Sequence, residues 1–84
     1  MTAYTDRFLI AYQSLGISDR KFCDTYGINR TSLHYAKIGK REAQVEWLVI
    51  LAKYFNFSPD WLLLGVGEKK RNEQIYVQEK YTNL

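Results

Sequence analysis

Apolar positions along this chain recur at helical spacing and are punctuated by glycine and by cap residues. Phe8, Ala11, Tyr12 and Leu15 fall at i, i+3, i+4 and i+7, which predicts a first helix over Thr5–Leu15, with Thr5 as N-cap, Asp6 in its first turn and Gly16 closing it. A short second helix is expected over Asp19–Tyr26, capped by Ser18, stopped at Gly27 and turned inward at Phe22, Cys23 and Tyr26. A third follows over Arg30–Lys37, with Asn29 as its cap and Leu33 and Ala36 as its inward pair. Val45, Leu48, Ala52 and Phe55 predict a fourth helix over Gln44–Phe55. Ser58 and Pro59 open a fifth, which runs through Asp60 and Trp61 and closes at Gly65.

The fourth helix is too apolar for one buried face. Trp47, Ile50 and Tyr54 form a second stripe at i, i+3 and i+7, and an exposed stripe of that kind is a liability in a monomer. The stripe could pack under the tail, pair with a second copy or dock another protein, and of these self-association through Trp47, Ile50 and Tyr54 is the expectation favoured. After Gly67 the sequence turns to Glu-Lys-Lys-Arg-Asn-Glu, which reads as a boundary between a domain over 1–67 and a polar linker and tail over 68–84. Ile75, Tyr76, Val77 and Tyr81 of that tail could pack back, pair as a strand or extend freely.

At 84 residues the chain makes one domain with a modest core, and 46% hydrophobic with 15% aromatic residues is enough to fold rather than stay disordered. It has no apolar run of membrane-spanning length. Asp6 and Arg7 stand where a signal peptide needs its apolar stretch, so a cytoplasmic protein with no membrane partner is expected. One cysteine and one histidine offer neither a disulfide nor metal-ligand spacing, and Cys23 reads as a compact buried residue. Paired carboxylates, a nucleophilic triad and a phosphate-cradling glycine loop are all missing from the sequence, so no catalytic residue, metal or small-molecule cofactor is assigned and an enzyme is not expected.

The net charge of +3 is modest, but its distribution is uneven. Residues 18–41 hold six cations against two carboxylates, a balance of +4, whereas the other 60 residues hold six against seven. Clustered cations are the electrostatic footprint of nucleic-acid binding. They surround two short helices joined by Gly27-Ile28-Asn29, in which glycine can adopt positive φ, isoleucine can plug inward and asparagine can cap the following helix.

Leu15-Gly16-Ile17-Ser18, Phe22-Cys23 followed three residues later by Gly27-Ile28-Asn29, then Leu33, Gly39-Lys40-Arg41, Leu51-Ala52 and Ser58 to Gly65 give the chain a resemblance, over roughly residues 7–65, to the lambda-repressor-like or XRE-type helix-turn-helix regulators of bacteria and phages. The resemblance implies an all-α, compact five-helix domain. Its second and third helices would form the helix-turn-helix, and it would bind double-stranded operator DNA, commonly as a homodimer, with the third helix in the major groove. Arg30, Thr31, Ser32 and Tyr35 would then face base edges, while Asn29, Arg20, Lys21, His34, Lys37, Lys40 and Arg41 would face phosphates. Two positions depart from the family pattern. Asp19 stands where many relatives carry a glutamine near the DNA backbone, and repels phosphate unless Arg20 or Lys21 compensates; Tyr35 occupies a position often polar or basic. These departures and the aromatic stripe point to an alternative, a protein-interaction module that keeps the fold with weak or no DNA binding.

Overall fold

The computed structural model describes residues 2–71. They form five helices, α1 (Ala3–Ser14), α2 (Asp19–Tyr26), α3 (Arg30–Lys37), α4 (Val45–Tyr54) and α5 (Pro59–Leu64), and the pairing among them is limited to one antiparallel bridge between Phe57 and Lys70. The expected residues Ile75, Tyr76, Val77 and Tyr81 lie outside the described residues. No helix of the described residues is long and apolar enough to cross a membrane.

The helices begin and end for local reasons. Ser18, Asn29 and Ser58 each accept a hydrogen bond from the backbone N–H three residues on, which satisfies one of the free donors at the start of α2, α3 and α5. Gly27 closes α2 at φ +69°, a conformation that costs other residues roughly 1–2 kcal/mol. The opening of α1 differs from the expectation. It starts two residues earlier, at Ala3, and Thr5 is a fully buried helix residue instead of a cap, its Oγ1 accepting from the Ala43 backbone N–H at 2.9 Å. Thr2 in turn donates through both its N–H and its hydroxyl to the Glu42 carboxylate, so the start of α1 is fastened to the loop before α4.

Phe8, Tyr12, Phe22, Leu33, Trp47, Leu48, Leu51 and Leu62 are the large side chains of one buried core. Burying side chains of this size contributes about 1.5–3 kcal/mol each. Trp47 is 3% exposed and its ring lies 5.5 Å from that of Phe8, so it belongs to the interior and is removed from the self-association stripe. Ile50 is half-buried against the core, and only Tyr54 of the three stands open, its ring 5.2 Å from Tyr26. Val45, expected inside, is instead 53% exposed. The physical reason is that α4 is turned so that Trp47, Leu48 and Leu51 meet α1 and α5, leaving Val45 and Val49 outside.

α1 also clasps α5. The Arg7 guanidinium donates to the carbonyls of Leu62 at 3.0 Å and Leu63 at 2.8 Å, satisfying free acceptors at the end of α5. A Cβ at Gly65 would lie 2.9 Å from Arg7 Nη1. The polar stretch after Gly67 is not a free linker as far as Arg71: Ser58 N–H donates to the Lys69 carbonyl at 2.8 Å, Arg71 N–H donates to the Asn56 carbonyl at 3.0 Å, and the Arg71 guanidinium reaches the Ala52 carbonyl at the end of α4. Lys69 and Lys70 rest their ammonium groups over the rings of Trp61 and Phe57.

Candidate functional site

α3 is oriented by its two inward residues. Leu33 and Ala36 are fully buried, and the period of 3.6 residues then turns Arg30, Thr31 and His34 to solvent and leaves Tyr35 half-buried beside them. Arg30, Thr31, His34 and Tyr35, together with Asp19 from the start of α2, line a shallow hollow of about 300 Å³. A second hollow of about 310 Å³ adjoins it, lined by Tyr35, Lys40 and Arg41.

Backbone geometry brings those two cations there. The Tyr35 carbonyl accepts from the N–H groups of Lys40 at 2.8 Å and Arg41 at 3.3 Å, which folds the loop back over the end of α3. The Arg41 guanidinium carbon then sits 5.2 Å from the centre of the Tyr35 ring, a cation–π contact that holds a flat donor group beside the helix. Tyr35 is thus the shared wall of both hollows. Its ring is a platform for Arg41 and a neighbour to His34 at 5.8 Å.

The expected site residues divide by location. Arg30, Thr31, His34, Tyr35, Lys40 and Arg41 come together in the two hollows. Ser32 is half-buried on the flank and lines neither of them. Asn29 spends its side-chain oxygen capping α3, accepting from Ser32 N–H at 3.0 Å. Arg20 faces Asp24 across 3.8 Å on the exposed side of α2, and Lys21 is exposed on the same helix. Lys37 departs from the free, phosphate-facing cation expected of it: its ammonium donates to Asp19 Oδ2 at 2.7 Å.

No family model, curated protein or solved structure matches this chain.

Asp19 is the feature that local sequence reasoning missed. Its compensation comes from Lys37, eighteen residues away, and from the Tyr12 hydroxyl, which donates to Oδ1; Arg20 and Lys21 do not supply it. Partial burial alone would raise the Asp19 carboxyl, but the hydrogen bonds from Lys37 and Tyr12 and the charges of Lys37 and Arg30 outweigh it and hold it below the ordinary carboxylate value. Burial, the same hydrogen bond and the Asp19 charge push the Tyr12 phenol well up, so it stays a donor. Cys23, 2% exposed, faces the core from the inner side of α2 with its thiol pushed up by burial, as a compact residue at a helix crossing should be.

A different surface lies between α4 and α5. Val45, Val49, Ala52, Pro59 and Leu63 line an apolar groove of about 350 Å³, with Lys53 and Arg71 among its walls.

Proposed function

We propose that the chain is a sequence-specific DNA-binding regulator, repressor-like, in which α2 and α3 serve as a helix-turn-helix of the lambda-repressor-like arrangement and α3 enters the major groove in the cytoplasm. The observation that carries this reading is the polar face of α3. Arg30, Thr31, His34 and Tyr35 point outward from a helix locked by buried Leu33 and Ala36, with Lys40 and Arg41 gathered at its end. Among the described residues no hydrogen bond or ion pair engages the Arg30 side chain, so its guanidinium is available to pair with the two acceptors of a guanine edge. Thr31 is exposed beside it and suits a base edge or a thymine methyl, while Lys40 and Arg41 suit phosphates and would set the register of the helix on the duplex.

Selection of bound duplexes from a random DNA pool tests this directly. An enriched motif is expected, and Arg30→Ala should relax preference at one base pair at a cost of about 1–3 kcal/mol while leaving random-sequence binding unchanged. Failure to enrich any motif, together with no salt-dependent retention on DNA, would overturn the reading.

Recognition of two half-sites about one DNA turn apart calls for a second copy of the chain. With Trp47 buried, we assign self-association to the α4–α5 face, where Val45, Val49 and Leu63 are 53%, 55% and 44% exposed around the groove. Val49→Asp should shift sedimentation toward monomer and leave folding intact, and concentration-independent monomer behaviour of the unaltered chain would exclude this assignment. The same groove favours a second reading, a protein-interaction module, which gains if DNA retention fails.

A further inference from the structure

Asp19 and Lys37 come from opposite ends of the α2–α3 segment and meet on the surface that the proposed function uses. Asp19 is the first residue of α2, where a carboxylate is favoured by the helix N-terminus, and Lys37 is the last residue of α3. Their side chains are 41% and 36% exposed, so the pair lies at the surface within reach of a bound duplex. Lys37 stands three residues before Lys40 and would otherwise join Lys40 and Arg41 as a cation available to phosphate. A lysine ammonium bonded at 2.7 Å to a carboxylate carries its charge already neutralised, and neutralised cations release no counterions from DNA. The Tyr12 hydroxyl fixes the other carboxylate oxygen, so the acceptor is anchored to α1 and does not swing away with the lysine.

We propose that Asp19 is a positioning residue that withholds Lys37 from the phosphate backbone and thereby sets a ceiling on sequence-independent DNA affinity. The inference rests on the DNA-binding reading above. It gives a physical role to a carboxylate on a surface that should otherwise exclude one, and it assigns the +4 balance of residues 18–41 fewer working cations than their number implies.

The test is the salt dependence of binding to a random-sequence duplex for the full chain, Asp19→Asn, Lys37→Ala and the double variant. Asparagine keeps an acceptor for Tyr12 while releasing the ammonium. Freeing one cation should steepen the log–log salt slope by about 0.9, so that between roughly 50 and 200 mM salt Asp19→Asn loses about 3.5-fold more affinity than the unaltered chain. Lys37→Ala alone should leave the slope where it was, and in the double variant it should remove the gain. A merely structural role for Asp19 would lower binding without steepening the slope.

An unchanged slope in Asp19→Asn overturns the inference while leaving the DNA reading standing, as does a Lys37→Ala slope flattened as much as that of Lys40→Ala. The second comparison decides the matter even if Asp19→Asn fails to fold. Absence of salt-dependent binding by the unaltered chain would remove the DNA reading, and this inference with it.

Discussion

α3 and α4 are of similar length, eight and ten residues, yet they meet solvent in opposite ways. In α3 the fully apolar side chains Leu33 and Ala36 are both buried, and Arg30, Thr31 and His34 are exposed on the other side. In α4 eight of ten residues are apolar, Trp47, Leu48 and Leu51 are buried, and Val45 and Val49 are left in the open. A helix with few apolar residues has one way to sit on a core. A helix with many has several, and its neighbours choose among them: the Phe8 ring and α5 draw Trp47 inward.

The contrast can be broken first at Trp47. Removing a ring at 3% exposure that packs on Phe8 should cost about 3–5 kcal/mol, whereas Val49→Ala on the outer face of the same helix should change stability by no more than about 0.5 kcal/mol. Urea unfolding measures both. Equal, small losses would mean that α4 is turned the other way and that Trp47 is available to a partner after all.

A middle-sized effect is expected where α1 clasps α5. Gly65 combines φ +74° with a Cβ position 2.9 Å from Arg7 Nη1, so Gly65→Ala should cost about 1–2 kcal/mol and displace the guanidinium from the Leu62 and Leu63 carbonyls. Arg7→Ala should lower stability as well, and if Gly65→Ala adds nothing once Arg7 is gone, the clash and not the backbone conformation is the cause.

The smallest effect belongs to Asp19. Its carboxyl is held below the ordinary value of 3.8 in the folded chain, so its contribution is fully present above that value and is lost as the pH falls through the depressed folded value. Because Asp19 and Lys37 are each more than a third exposed, the contribution should stay under about 1 kcal/mol. Asp19→Asn should accordingly be less stable than the unaltered chain at neutral pH by under about 1 kcal/mol, and the two should converge in urea unfolding as the pH falls through the depressed value.

How far these regions were legible in the sequence follows the same contrast. The boundaries of α2 and α3 are where Ser18, Gly27 and Asn29 predict them, because caps and a left-handed closing residue act within four residues of chain. The rotation of α3 was equally legible. The rotation of α4 was not, since its periodicity fits two stripes and only the packing of Trp47 on Phe8 separates them. Thr5 looked like a cap because threonine suits one, but its hydroxyl serves the Ala43 N–H across the fold. The Asp19–Lys37 pair, the Arg7 clasp and the docking of Lys69–Arg71 on residues 56–58 all join residues more than ten positions apart, and such partnerships leave no local pattern to read.

The brevity of α3 has a consequence for how much it can discriminate. Eight residues rising about 1.5 Å each span about 12 Å, and duplex DNA stacks its pairs about 3.4 Å apart, so on the proposed reading this helix can touch three or four letters. Four letters distinguish roughly 250 words, against the million or more competing sites of a genome. One copy alone would therefore be a poor reader however well Arg30 pairs, and doubling the word through a second copy squares the vocabulary.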